Sequence, residues 1–412
     1  MSRGEFKLRR DQLSKQLDGE DAVVLFSAKE DANRPYRQNS DFYYLTGFVE
    51  PESVAVLVPG RKEGEFVLFN RKRDRVKEVW CGPYAGQEGA CMVFGADDAY
   101  PIERIDEILP NLLTDRKTVY SNVGPDDTRL KNWLDQRKSI DLGEVLHEMR
   151  LKKSPYELDI IRRAAEITAK GHLRAMQKCR PGIFEFELEA ELLYEFTRLG
   201  GRLPAFETIV ASGKNACTLH YSQNNKKMVA GELVLVDAGI QYDGYCTDVT
   251  RTFQVEGGFT PEQRAIYEIV LEARKRVVEE IKPGVLWNNL QSTAERIITE
   301  GLVNIGILRG NIESLLAQKS FKPFFMHKIG HWLGLDIHDV GGYGDKPCIL
   351  RPNMVFTVEP GVYISPDIAN IDDKWKGIGV RIEDNVLVTN NGSDVLTRKI
   401  PSDVTEIENI RK

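Results

Sequence analysis

The chain has 412 residues, 42% of them hydrophobic and 29% charged, enough to bury a sizeable core in two domains. A net charge of -6 leaves no basic footprint, so nucleic acid is not an expected partner; the nearest basic run, Arg71-Lys72-Arg73 with Arg75 and Lys77, is interleaved with acids and reads as a solvated face. No stretch approaches the roughly 18 apolar residues of a membrane span, and Met1-Ser2-Arg3-Gly4-Glu5-Phe6-Lys7 lacks the apolar core of a secretory signal. Glu5 and Asp11 argue against a mitochondrial presequence. The six cysteines, at 81, 91, 179, 217, 246 and 348, form no C-x-x-C pair and read as reduced thiols of a cytoplasmic protein, not as disulfides or a zinc knuckle.

Residues 5–16 read as a charged amphipathic helix. Beyond it, short strands at Ala22–Phe26, Ser53–Val58 and Glu65–Phe69 alternate with polar helical stretches, which predicts an α/β domain around a mixed sheet. The domain boundary falls at Arg150–Ser154, giving residues 1–150 and 151–412. A helix is announced there: Ser154 as N-cap, Pro155 at the first helical position and Glu157 three after the cap make a capping box ahead of Leu158, Ile161 and Ala165. Thr260-Pro261-Glu262-Gln263 repeats the device before a helix to about Ile281, stopped by Lys282-Pro283-Gly284.

Between these two helices the pattern is that of a hairpin. Glu232–Gly239 reads as a buried strand, Asp243-Gly244 as a turn and Tyr245–Val255 as the returning strand, so residue 239 faces residue 248. Side chains alternate along a strand, which makes Asp237 and Asp248 diagonal neighbours on one face, roughly 7–8 Å apart. That spacing suits two carboxylates flanking a cation. The apolar run Leu233–Val236 implies that Asp237 is partly desolvated, and a buried carboxylate needs a counterion. A metal, a loop cap or an arginine such as Arg251 would each serve.

Three of the chain's six histidines fall within twelve positions, in His327-Lys328-Ile329-Gly330-His331 and at His338. A lone histidine is ordinarily satisfied by a backbone carbonyl; three together suggest a site. Gly330, Gly334 and Gly341-Gly342 make a long helix improbable and predict strand and turn with close backbone approach, which excludes a zincin helix, as does Lys328 directly after the first histidine. Farther on, Met354–Val358 runs as a strand into Glu359-Pro360-Gly361, and Gly379–Asp384 continues into Asn385–Val388. Arg381 and Glu383 share a face of that strand, so Arg381 could simply be the ion-pair partner of Glu383. Asp237, Asp248, His331, Glu359 and Glu383 thus form a hard, oxygen-rich set of candidate ligands that suits Mn²⁺, with Zn²⁺ or Co²⁺ able to bind as well.

The segments VDAG, TDVTRTF, HKIGHWLGLDIHD, TVEPGVY and GVRIEDN, in this order, resemble the pita-bread metallopeptidases, and PYRQNSDFYYLTGF resembles the amino-terminal domain of aminopeptidase P, the Xaa-Pro aminopeptidase. The resemblance spans nearly the whole chain. It implies an α/β (α+β) protein: an N-terminal mixed-sheet domain, followed by a pita-bread catalytic domain, similar to creatinase and methionine aminopeptidase, with a curved antiparallel sheet and helices outside. It further implies two divalent metal ions, one held by Asp237 and Asp248 and the other by Asp248, His331, Glu359 and Glu383, with Asp248 and Glu383 bridging. His220, which follows the polar loop Ala211–Asn215, falls with His327 and His338 where the family has histidines around the metals and substrate.

The chemistry implied is attack of a metal-bridging hydroxide on the Xaa-Pro amide, with His327 or His338 on the developing oxyanion and Glu359 carrying the proton to the leaving nitrogen. That nitrogen has no hydrogen, so an apolar wall is expected, for which Trp332, Tyr363 and the histidines are candidates. Phe206, fourteen positions before His220, departs from relatives that carry a hydrogen-bonding tyrosine there. In the family the N-terminal domain builds dimers or tetramers and restricts the site to peptides. Asp31 matches an acidic residue that reaches a neighbour's substrate amine, and Trp80 is either a contact for longer peptides or an ordinary packed tryptophan. Two other functions fit these residues: prolidase, which shares HDVGGY, and a pita-bread module that binds peptides without cleaving them.

Overall fold

The computed structural model describes residues 3–31, 35–134, 137–342 and 348–410; Tyr343 of the HDVGGY segment lies outside them. The chain divides into two compact units, Met1–Arg150 and Leu151–Lys412.

The first unit is built on six strands: β1 (Asp21–Phe26), β2 (Val54–Leu57), β3 (Phe66–Asn70), β4 (Asp98–Pro101), β5 (Thr118–Ser121) and β6 (Lys138–Asp141), in the order β4-β3-β2-β1-β5-β6. The pairs β1–β2 and β2–β3 are antiparallel and the others parallel, so the sheet is mixed. The central strands β1, β2 and β3 are buried along their whole length, which is why their sequences run continuously apolar where a half-exposed strand would alternate. Val24, Phe26, Val56, Val67, Leu109 and Leu130 form the core of this unit.

In the second unit the helix Pro155–Lys178 starts on the capping box of Ser154 and Glu157, and Pro261–Glu280 on that of Thr260 and Gln263. These helices bury Ala164, Ile167, Ile266 and Val270 in a core shared with the strands, and Ile161 and Ala165 are buried as well. The strands are β7 (Leu203–Pro204), β8 (Ile209–Ser212), β9 (Leu233–Asp237), β10 (Ile240–Tyr242), β11 (Tyr245–Cys246), β12 (Thr250–Gln254), β13 (Val355–Val358), β14 (Gly361–Tyr363), β15 (Gly379–Arg381), β16 (Asp384–Val388) and β17 (Ser393–Val395). All their pairings are antiparallel. Among the described residues no helix is long and apolar enough to cross a membrane.

The hairpin keeps one register throughout, Tyr242 opposite Tyr245 and Asp237 opposite Thr250, so residue 239 does face residue 248. It is not two continuous strands, however. A side chain at Gly239 would overlap the carbonyl of Thr247, and at this pinch both strands break. The strand expected over 379–388 also breaks: β15 pairs with β14 and β16 with β13, leaving Ile382 and Glu383 where the chain changes partner. The histidine segment is not a strand either; it is irregular, tied to residues 355–359 by the Trp332–Phe356 bridge and by backbone hydrogen bonds from the amides of Leu333, Thr357 and Glu359 to the carbonyls of Val355, His331 and Ile329. Its close backbone approach is real, because a Cβ on Gly330 would overlap the Thr357 carbonyl.

Candidate metal centre

Every strand break just described delivers a carboxylate to the same place. Asp237 ends β9, Asp248 lies between β11 and β12, Glu359 follows β13 and Glu383 separates β15 from β16. All four line a cavity of about 360 Å³, together with His220, His327, His331, His338 and Arg381. Asp248, His331 and Glu383 each offer a ligand atom within 4.8 Å of the other two. His331 Nε2 stands 3.3 Å from Asp248 Oδ2 and 3.6 Å from Glu359 Oε1.

Hydrogen bonding behind the cluster orients these groups. His331 Nδ1 lies 3.1 Å from the Trp332 carbonyl, which can only accept, so Nδ1 carries the hydrogen and Nε2 turns its lone pair to the carboxylates. The Thr357 hydroxyl accepts from the His331 amide at 3.0 Å and donates to Glu359 Oε1 at 3.2 Å. Arg381 donates from Nη2 to Asp237 Oδ2 at 2.6 Å, from Nε to the Thr250 hydroxyl at 3.0 Å and from Nη1 to the Tyr363 hydroxyl at 3.0 Å. Thr250 in turn donates to Glu383 Oε2 at 2.8 Å. Arg381 is therefore the partner of Asp237 and reaches Glu383 through Thr250. The arginine proposed for Asp237, Arg251, is committed elsewhere, 2.8 Å from Asp384.

Counter-charge is short in this cavity. Four carboxylates meet one guanidinium, and Asp237 Oδ1 and Asp248 Oδ1 are buried with no hydrogen-bond partner. Burial, then the charges of Asp237 and Glu359, push the Asp248 carboxyl well above the usual carboxylate range. Burial, then Asp248, Glu359 and Asp237, do the same to Glu383. Burial works against the Arg381 charge, but Tyr363, Asp237 and Glu383 hold it firmly protonated. A divalent cation would satisfy the orphaned oxygens and cancel both upward shifts, so the residues present fit a metal.

Of the histidines around the cluster, His327 has both ring nitrogens engaged: Nδ1 donates to the Lys328 carbonyl at 2.8 Å and Nε2 accepts from the Tyr363 hydroxyl at 2.9 Å. The direction follows because Tyr363 already accepts from Arg381. Burial lowers the pKa of His327 and, with the neighbouring His331, that of His338, so both are neutral imidazoles at pH 7. His338 packs edge-to-face on His331 with ring centroids 4.3 Å apart. His172, outside the site, is the ordinary core histidine: Nε2 is 3.1 Å from the Ala238 carbonyl, and burial pushes its pKa down to about 4.

The apolar wall differs from the expected one. Trp332 is fully buried against Trp287 and Phe356, and Tyr363, 1% exposed, stands behind His327; neither lines the cavity. Phe206, Ile209, Leu219 and Ile337 form the wall instead. A signal existed for two of them, since Leu219 and Ile337 directly precede His220 and His338. Thr250 and Thr357 were legible as well, each two residues from a ligand and on its face. Asp31 and Trp80 belong to the first unit and are not among the lining residues. Asp31 is exposed, and Trp80 is not a packed tryptophan: it is 85% exposed on the helix Arg75–Cys81.

Residues 159–390 match metallopeptidase family M24, and residues 6–120 match the aminopeptidase P N-terminal domain. The chain is 45% identical to an Escherichia coli Xaa-Pro aminopeptidase over 99% of its own length and 97% of the relative's. It is 32% identical to human Xaa-Pro aminopeptidase 3, covering 100% of this chain and 86% of that protein. Among solved structures, Pseudomonas aeruginosa aminopeptidase PepP superposes with a TM-score of 0.97 at 47% identity, covering 100% of this chain and 98% of that one.

Proposed function

This chain belongs to metallopeptidase family M24, on its aminopeptidase P branch, and from that premise we propose that it releases the first residue of peptides with proline in second place. The observation that carries the reading is the excess of buried carboxylate over counter-charge around His331 Nε2, in a cavity with an apolar wall. Asp237, Asp248 and Glu383 would hold one divalent ion and Asp248, His331, Glu359 and Glu383 a second, with Asp248 and Glu383 shared. Bound there, the ions would supply hydroxide at neutral pH and polarise the scissile carbonyl. Hard oxygen donors favour Mn²⁺.

The chain's own groups do the rest. Arg381 pairs with Asp237 and fixes the Tyr363 hydroxyl, which locks the tautomer of His327. With both nitrogens of His327 engaged, the donor to the developing oxyanion is best supplied by His338 on the cavity wall. Glu359, linked to His331 through Thr357, would carry the proton to the leaving proline nitrogen. Phe206, Ile209, Leu219 and Ile337 offer the proline ring shape and apolar contact, which an amide without N–H requires.

The N-terminal unit is read as restricting the site to peptides and building a dimer or tetramer in the cytoplasm, with Asp31 and the exposed Trp80 as the residues to test. Xaa-Pro and Xaa-Pro-Xaa peptides assayed with Mn²⁺ and with EDTA test the main reading. The expectation is metal-dependent release of Xaa from the tripeptide; cleavage of dipeptides alone would make the chain a prolidase, which its relatives do not favour.

A further inference from the structure

Glu185 opens the helix Glu185–Arg198, and its side chain is fully buried. Five neutral donors converge on its carboxylate. Oε1 accepts from the Ser212 amide at 2.7 Å, the Ser212 hydroxyl at 2.7 Å and Asn215 Nδ2 at 3.1 Å. Oε2 accepts from the Tyr221 hydroxyl at 2.7 Å and the Lys226 amide at 2.9 Å. A carboxylate offers about four lone-pair directions, so this one is saturated.

All five donors lie between residues 212 and 226, a stretch that holds a short 3-10 turn, Gly213–Cys217, and little other regular structure. Its backbone groups therefore depend on side-chain partners. Lys226 closes the same loop, with Nζ 3.3 Å from the Ser212 carbonyl and 2.7 Å from Glu232. Leu219, His220 and Ser222 of this loop line the cavity, whereas Glu185 does not, and the loop carries none of the five candidate metal ligands. Tyr221, pinned by Glu185, is the immediate neighbour of His220.

We propose that Glu185 is a positioning residue for peptide cleavage: through Tyr221, Asn215 and the peptide groups of Ser212 and Lys226, it fixes His220 and Leu219 at the cavity wall. The proposal rests on reading the cavity as a peptidase site. Glutamine at this position has the same shape but replaces one oxygen with an NH₂ that faces two or three donors, so Glu185→Gln breaks one side of the clamp without emptying the space.

The expected result for Glu185→Gln is a fall of roughly 100-fold in kcat/KM on an Xaa-Pro-Xaa tripeptide, with metal content unchanged. Tyr221→Phe, which keeps the carboxylate and loses one donor, should fall less and serves if the first variant does not fold. In a His220→Ala background, Glu185→Gln should cost no more than about threefold further, because the two residues act as one unit. Multiplying effects, or a lowered Tm with full kcat/KM, would overturn the proposal. An inactive wild-type chain would sink the peptidase reading instead. The clamp would still be tested, since the ¹⁵N signals of the His220 ring should shift and broaden in Glu185→Gln, and unchanged signals would count against it.

Discussion

Two buried acid clusters lie back to back in the second unit, and consecutive residues belong to them. Glu383 joins Asp237, Asp248 and Glu359 around the cavity, where Arg381 is the guanidinium among the lining residues. Asp384, one position later on the opposite face, is 2.8 Å from Arg251 Nη2 and 2.5 Å from Arg274 Nη2, and accepts from the Thr397 hydroxyl at 2.6 Å. Both carboxyls are buried, yet they shift in opposite directions. Burial and three acidic neighbours raise Glu383; for Asp384 burial also works upward, but Arg251 and Arg274 override it and hold the group below its ordinary range. Burial is thus common to both, and the balance of local charge decides the sign. One cluster has less positive charge than its carboxylates call for and is built to receive more. The other is complete and acts as a brace, for Arg251 also donates to the carbonyls of Thr250, Glu383, Ile400 and Pro401.

The largest expected effect removes the acid shared by both proposed metal positions. Asp248→Ala should reduce turnover to the level of the chelated enzyme and bring bound metal close to zero by elemental analysis; an active variant would contradict the bridging role. His338→Ala should leave metal content intact and lower kcat about 10²–10³-fold, as loss of an oxyanion donor does. His327→Ala should also spare the metal. If either variant empties the site, that imidazole is a ligand and the assignment around His331 is wrong.

The brace should answer differently. Asp384→Ala leaves the fully buried Arg251 and the partly buried Arg274 guanidinium groups without their shared carboxylate, and removing one partner of such a cluster costs about 3–5 kcal/mol in unfolding free energy. Denaturant unfolding of chelated protein checks this, because without metal the loss must come from the brace. A stability loss that disappears on chelation would show that Asp384 serves the metal and not the fold.

Much of this contrast was legible in the chain. Alternation along Gly379–Val388 puts Glu383 and Asp384 on opposite faces, the turn at Asp243-Gly244 sets the hairpin register, and both capping boxes can be read residue by residue. What could not be read depends on contacts between segments far apart in sequence. The breaks at residues 247–249 and 382–383 arise where backbone crowds backbone or a strand changes partner. Likewise, the choice of Arg381 over Arg251 for Asp237, and the burial of Trp332 away from the cavity, follow from packing that no local pattern records. The wall residues Phe206 and Ile209 carry no local signature at all.

A pH titration sharpens the comparison most finely, because the two clusters should respond with opposite signs. Asp248 and Glu383 have folded pKa values above those of the unfolded chain, so without metal the folded state binds more protons from about pH 4 upward. Their stabilising contribution is complete below that pH and is lost as pH rises through the folded values. Asp384, held low, contributes above the ordinary carboxylate range and loses that contribution as pH falls through its folded value. Divalent metal should abolish the first trend, since the cation takes the place of the protons, and leave the second untouched. The gap in Tm between metal-loaded and chelated protein should therefore widen from pH 5 to pH 8, and Glu383→Gln, which needs no proton to be neutral, should narrow it. A gap that stays constant with pH would mean that the cavity acids are already compensated without metal, and the contrast between the two clusters would lose its basis.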